Sequence, residues 1–327
     1  MKRRLFLALS IILIATATAC HLGSGGPTRP SLSQHYTPAP APGTTLRAAS
    51  FNILTASNKE FPWGNRREAV AACLSDVDAD IFGLQEALWV QLDYLLEVLP
   101  DYTCIGQGRD DGHRANEFVP VFFRTNRFVL KHAEVFWLSD TPEVPGSNTW
   151  GADCVRCATV AILIDRDNET SLGVLNTHFD HISATAREKS AELIRKKLPT
   201  YGKGLPWIVM GDCNTSPGSP PYLTLVSREG GDPLLTDVFA AANPSAPPDT
   251  RSFHGYTDSK KEGRIDWIFA SPEFTPLAAG IVQSKYRYRY PSDHFAVWAD
   301  LKGRGAPIKK RKPGDRAGLP VETVDER

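Results

Sequence analysis

The sequence predicts a mixed α/β domain in which sheets are covered by helices, and three observations carry this. Apolar residues make up 42% of the 327 and charged residues 23%, a balance that fills a full core. Short runs rich in β-branched and aromatic residues recur at strand length from residue 46 to residue 301. Between them, separate segments keep the apolar spacing of helices. Strands and helices mixed along one chain are the pattern of sheets with helices on their outer faces. One domain over residues 46–301 is the economical reading.

In order, residues 46–54 and 80–85 read as strands. Between them Val70, Cys73, Leu74 and Val77 follow helical spacing behind Asn65 and Glu68, which have the form of a capping box. A second helix carries Leu88, Leu92, Leu95, Leu96 and Leu99 on one face. Strand-like runs follow at 102–106, 118–124, 128–138, 158–165 and 171–177. Thr185 and Glu188 are placed to cap a helix bearing Leu193, Ile194 and Leu198. Strands return at 207–210, 265–270, 281–290 and 295–301.

The ends differ from the body. Lys2-Arg3-Arg4 precedes an apolar run over residues 5–19 that closes on Ala17-Thr18-Ala19-Cys20, too short for a comfortable span and ending in small residues. Residues 1–20 therefore read as a signal peptide of lipoprotein type with Cys20 lipidated, although Ala17 stands where Leu is usual. Plain secretion and an uncleaved anchor are the alternatives. The expected location is the cell envelope, tethered to the membrane, or otherwise the periplasm or the exterior. Residues 21–45, rich in Pro, Gly, Ser and Thr, read as a tether, and residues 302–327, with Lys309-Lys310-Arg311-Lys312, as a basic disordered tail. The chain as a whole is neutral, but its ends carry eight net positive charges, so residues 46–301 carry about −8. Such a body does not suit indiscriminate nucleic-acid binding, which needs Lys and Arg against phosphates. It suits a site for metal cations. Beyond Cys20 five cysteines remain, an odd number for an exported chain. Cys154-Val155-Arg156-Cys157 has redox or zinc spacing without a second pair, leaving a disulfide or two buried thiols.

Polar residues recur where strand signals stop: Asn52, Glu86, His178, Asp212 with Asn214, Asp266, and Asp293 with His294. Acids, amides and imidazoles at sheet ends are a common basis for an active site. Each alone is weak. In this order, over residues 46–301, the set resembles the endonuclease/exonuclease/phosphatase superfamily, whose members include deoxyribonuclease I-like nucleases, inositol-polyphosphate phosphatases and sphingomyelinases. The resemblance implies a four-layer α/β/β/α sandwich of two packed mixed β-sheets, in the α/β (α+β) class, acting on phosphate esters, and a monomer is expected.

It also implies roles. Glu86 matches the principal Mg²⁺ ligand, with Asn52 and Asp293 close by, and Mn²⁺ is the expected substitute for Mg²⁺; hard oxygen donors suit that ion. Asp212 and Asn214 match the pair that orients the attacking water. His294 matches the histidine at the scissile phosphate, held by Asp266, and either Asp212 or His294 could take the water's proton. His178 matches a second phosphate-contacting histidine, with Glu117 as its carboxylate partner. Cys213 stands where a bulky apolar residue is usual, and strand alternation turns it toward packing.

Trp63-Gly64-Asn65-Arg66-Arg67, Gly108-Arg109-Asp110-Asp111-Gly112 and Thr177-His178-Phe179-Asp180-His181 resemble a compact bacterial exported group. Arg109 and Arg156 could reach a substrate phosphate or serve in ion pairs. On a strand, residues 285–290 would put Lys285, Arg287 and Arg289 on one face and three tyrosines on the other, either a nucleotide-facing surface or an edge strand. A phosphodiesterase acting on nucleic acid or nucleotides is the leading expectation. A phosphatase or phospholipid-type phosphodiesterase is the alternative, and a non-catalytic binding lipoprotein a minor one.

Overall fold

The structure is a computed structural model and describes residues 45–227, 235–247, 249–257, 263–286 and 288–303. Cys20 and the rest of the leader, the tether as far as residue 44, Arg287 and the tail beyond residue 303 lie outside the described residues.

One six-stranded sheet comprises β1 (Thr45–Asn52), β2 (Ile81–Gln85), β3 (Tyr102–Ile105), β4 (Val121–Arg124), β11 (Phe274–Val282) and β12 (Ala296–Gly303), in the order β11-β12-β1-β2-β4-β3. The other comprises β5 (Phe128–Trp137), β6 (Cys157–Asp165), β7 (Thr170–His178), β8 (Trp207–Asp212), β9 (Thr236–Asp237) and β10 (Asp266–Ala270), in the order β5-β6-β7-β8-β10-β9. Each sheet is mixed: β1 runs parallel to β2 and β7 parallel to β8, while the remaining neighbours are antiparallel. β1 and β12 extend the predicted domain by one and two residues into the segments read as tether and tail.

Alternation along β1 shows how the layers form. Leu46 and Ala48 turn inward with Ile81, Val121, Val174, Ile208 and Met210, a core shared by both sheets. Ala49 and Phe51 turn outward to meet α1 (Trp63–Val77) and α2 (Trp89–Val98) through Val70, Leu74, Leu92 and Leu95. On the other side α3 (Ala184–Lys197) sets Ala191 and Ile194 against Val160, Leu175 and Trp207. The short helix α4 (Pro220–Val226) packs beside α3 on that side, while α5 (Val238–Ala242) sets Val238 into the core shared by both sheets and lies against β10 and β11. This is the four-layer sandwich.

A polar link crosses the middle. Asn176 of β7, wholly buried, donates from Nδ2 to the carbonyl oxygens of Leu84 and Pro120, both at 2.8 Å. Its Oδ1 accepts from Gln85 Nε2 at 2.7 Å. Gly83 makes room, since a Cβ there would lie 2.5 Å from the Asn176 side chain.

Three local expectations are corrected. Asn65 and Glu68 do not cap α1: the helix starts at Trp63 behind Pro62, which has no side-chain acceptor, so Asn65 lies within the first turn. The cap of α3 is Ser183 rather than Thr185, its hydroxyl accepting from Ala186 N at 3.1 Å. The strand read over 281–290 stops at Val282. Tyr286 and Arg289 then exchange backbone hydrogen bonds across a tight turn, with Tyr288 at φ 68° and almost fully exposed. Tyr286 is buried against the α1 side, so the tyrosines share no face. Cys73, Cys104, Cys154, Cys157 and Cys213 are free thiols, which removes the disulfide alternative at Cys154 and Cys157.

Candidate active site

The C-terminal ends of β1, β2, β7 and β8 and the start of β10 meet at one edge of the sandwich, because β1 pairs with β2, β7 with β8 and β8 with β10. That edge gathers the polar strand ends. Asn52 closes β1, wholly buried, and bridges two carboxylates: Nδ2 donates to Glu86 Oε1 at 2.9 Å and to Asp212 Oδ2 at 3.0 Å. Glu86 leaves β2 in the left-handed region at φ 59°, a conformation costly for a non-glycine residue and often found at functional sites. Its Oε2 accepts from Thr55 N at 3.0 Å. Asn214 adopts φ 48°, and its N–H donates to Asp212 Oδ1 at 3.0 Å.

His294 faces two acids. Its Nδ1 lies 2.9 Å from Asp266 Oδ2 and its Nε2 lies 3.7 Å from Asp212 Oδ2. Burial alone would lower its pKa, but the charges of Asp266 and then Asp212 raise it well above the ordinary histidine value. The imidazolium is therefore the favoured form. Asp212 moves the other way from an ordinary carboxylate: burial and then Asp266 raise its pKa, against the lowering effect of His294. His178 ends β7 with Nε2 3.1 Å from Asn214 Nδ2 and 3.3 Å from Asp212 Oδ2. Burial, followed by Arg156 and Arg109, holds its pKa well below the ordinary value, so it is neutral.

Glu117 does not partner His178. Its Oε2 pairs with Arg109 Nη1 at 2.7 Å, and His178 Nδ1 is buried without a partner. The Gly106–Pro120 loop brings both members of that ion pair to the same place, so the nearest cation claims the carboxylate. Burial raises the Glu117 pKa, with Arg109 opposing and Glu86 adding to the rise. Arg156 is buried at the head of β6, its Nη2 3.1 Å from His181 Nδ1. Arg289 is exposed in the turn after β11 and forms no face with Lys285.

Do these residues fit a divalent cation? Asp293 is raised above the ordinary carboxylate range by burial, with His294 opposing and Glu86 adding to the rise. Like charges brought together with few cations near them are what a bound cation relieves. Arg66, whose guanidinium feels the charges of Asp293 and Glu86, spends its N–H groups on the carbonyl oxygens of Ile53, Leu54, Thr55, Phe61 and Pro291. Hard oxygens without a cationic partner fit Mg²⁺-type chemistry. Ligand atoms of Asp212, Asp266 and His294 also lie within 4.8 Å of one another. Asp266 Oδ2 is already paired with His294 Nδ1, although Asp266 Oδ1 is buried without a hydrogen-bond partner, and we read that group as an acid–imidazole relay rather than a cage.

Two positioning residues were not legible in the sequence. Arg66 ties the loop after Asn52 to the loop before Asp293, though it sits in a segment noted only for its resemblance. Ser252 Oγ accepts from Ile265 N at 3.0 Å and Asp266 N at 2.9 Å, and no periodic pattern marks its loop. Cys213 is buried in the α3-side core, as alternation implies. A hollow of about 580 Å³ lined by His132, Tyr201 and Lys203 opens at the opposite ends of β5 and β7 and holds no carboxylate.

The fold and the site can now be set beside known proteins. Residues 49–294 match the model of the Endonuclease/Exonuclease/phosphatase family. A solved endonuclease/exonuclease/phosphatase from Bacteroides vulgatus is 32% identical, with a TM-score of 0.74, over 80% of this chain and 100% of that one. A mannosyl-6-phosphatase from Bacteroides thetaiotaomicron is 34% identical, with a TM-score of 0.72, over 78% of this chain and 99% of that one. The TDP2 of D. rerio, complexed with single strand DNA product, shares the fold at 17% identity and a TM-score of 0.63, over 79% and 99%. With three quarters of its length inside the family match and every strand-end residue in place, the chain belongs to the Endonuclease/Exonuclease/phosphatase family and is a metal-dependent phosphoesterase.

Proposed function

We propose that the protein is a phosphomonoesterase acting on small phosphorylated sugars or related polyols, with Mg²⁺, or Mn²⁺ in its place, held by Glu86 and Asp293 beside Asn52. The observation that carries phosphate-ester hydrolysis is the opposition of the His294–Asp266 pair and Asp212 to the carboxylates of Glu86 and Asp293. A mannosyl-6-phosphatase similar over nearly its whole length supports the sugar phosphate. The acidic body weighs against nucleic acid, as does the turn that keeps Lys285 and Arg289 from sharing a strand face.

The roles follow from the charge states. In this reading His294, favoured as imidazolium, is not the base and instead faces the phosphoryl oxygens, where a fixed positive charge stabilises developing negative charge. Asp212 takes the proton of the attacking water, and its raised proton affinity improves it for that task. Asn214 and Asn52 hold Asp212 and its neighbours in place. Neutral His178 contributes a hydrogen bond rather than a charge. A bound divalent cation supplies Lewis-acid polarisation of the phosphoryl group. The N-terminal reading belongs to the same proposal: an exported enzyme, lipid-anchored through Cys20.

The test is phosphate release by the full chain with Mg²⁺ from mannose 6-phosphate and glucose 6-phosphate, beside cleavage of bis-p-nitrophenyl phosphate and single-stranded DNA. Faster turnover of a sugar phosphate than of either diester is expected. Faster cleavage of the diesters overturns the monoester reading and restores a phosphodiesterase.

A further inference from the structure

Four buried polar atoms without a hydrogen-bond partner belong to three residues on one side of the cleft: Arg109 Nε, Arg156 Nε and Nη1, and His178 Nδ1. The sheet explains why they meet. Arg156 immediately precedes β6, and its carbonyl oxygen accepts from Leu138 N just past β5. Ala158 pairs with Thr177, so the head of β6 lies against the end of β7, where His178 sits. Arg109 is drawn to the same corner because Trp137, the last residue of β5, donates its indole N–H to the Arg109 carbonyl oxygen.

The partners these guanidiniums do have are too few. Arg109 Nη1 meets Glu117 at 2.7 Å, and Arg156 Nη2 meets His181 Nδ1 at 3.1 Å. Asp180 Oδ2 lies 3.7 Å from Arg156 Nε, beyond hydrogen-bond length. Its two oxygens already accept from the backbone N–H groups of Asp153, Cys154, Ile182 and Ser183. The side chains are only 10% and 5% exposed, so solvent does not make up the difference. Buried donors without acceptors call for an explanation, and an anionic oxygen is the acceptor that guanidinium groups bind best. Burial, followed by the charges of Arg156 and Arg109, keeps His178 neutral, so of these three residues the arginines alone carry positive charge.

A phosphate monoester dianion carries one negative charge more than a diester. We propose that Arg109 and Arg156 form the subsite that takes this second charge, and that the pair makes the site select monoesters over diesters. The inference rests on the phosphomonoesterase reading above.

The experiment measures kcat/KM for p-nitrophenyl phosphate and bis-p-nitrophenyl phosphate with full-length wild type, Arg109→Met, Arg156→Met and Arg156→Lys in Mg²⁺. The ratio of the two substrates within one preparation is independent of how much of that preparation is folded. Each Met variant should lower the monoester about 10- to 100-fold, the scale of one lost charged hydrogen bond, with the diester little changed. Arg156→Lys, which keeps the charge but not the fork, should fall between. An equal fall on both substrates, or an unchanged ratio, overturns the subsite and leaves the monoesterase reading standing. A wild type that already prefers the diester overturns that reading itself.

Discussion

Asp212 and His294 hold opposite charge tendencies within one buried pocket, and besides burial Asp266 acts on both. Its charge raises the His294 pKa and also adds to the rise at Asp212. Asp266→Asn removes that charge, so His294 loses its proton at lower pH and the alkaline fall of kcat/KM moves to lower pH. A pH–rate profile reads this directly, with kcat falling on the order of 10²–10⁴-fold if the imidazolium is lost throughout the range. On the acid side, the proposed role of Asp212 as base requires its ionised form. Because burial raises its pKa, the acid limb should lie above the ordinary carboxylate value of about 3.9. A limb at or below that value would remove Asp212 from the role of base. Cys213 has no part in this chemistry: burial holds its thiol pKa well above the ordinary value, and Cys213→Ser should cost stability before it costs turnover.

At the scale of elements, the site depends on segments that carry no reacting group. The strand-to-strand link through Asn176 sits directly behind Glu86 and His178, so disturbing it should loosen both. Gly83→Ala puts a Cβ into the Asn176 side chain and should destabilise by about 1–3 kcal/mol, measured as a drop in Tm or denaturant midpoint. The 252–257 segment is a second support: His254 N and Gly255 N both donate to the Asp293 carbonyl oxygen, and the His254 ring stacks on Phe295. Burial lowers the His254 pKa from 6.5 to about 4. Between those values the unfolded chain binds a proton that the folded chain refuses, so stability is lost as pH falls through that window. Replacing His254 with Phe should flatten the loss of Tm between pH 6.5 and 4; an unchanged slope would mean that His254 does not set it. The elements themselves were legible where period and composition agree, as in β1, β2, β6, β7 and β8. The turn at 286–289 was not, because Lys285 to Tyr290 alternates as a strand would, and only the burial of Tyr286 under α1 shows that it turns. The cap of α3 was missed by two residues because Ser183 and Thr185 offer the same chemistry and backbone geometry decides between them.

For the molecule as a whole, two sheets back to back bring six strand ends to one edge, and this is why scattered residues could be read as a set. Asn52, Glu86, His178, Asp212 and Asp266 each mark a strand terminus, so the sequence pattern locates them without knowledge of the sheet order. Asp293 and His294 were legible by resemblance and fall at the same edge, just before β12. Contacts between loops from distant parts of the chain were not legible. Glu117 was assigned to His178 but is held by Arg109, and Arg66 and Ser252 act through backbone carbonyl and amide groups that leave no trace in residue periodicity. Hydrolysis of phosphate monoesters with a divalent cation is the activity proposed for this edge. Phosphate release from mannose 6-phosphate by the full chain, with Mg²⁺, with EDTA, and with His294→Ala in Mg²⁺, tests it most directly. Turnover with Mg²⁺, none with EDTA, and a loss on the order of 10²–10⁴-fold in the variant are expected. Turnover that survives both EDTA and the substitution would contradict it.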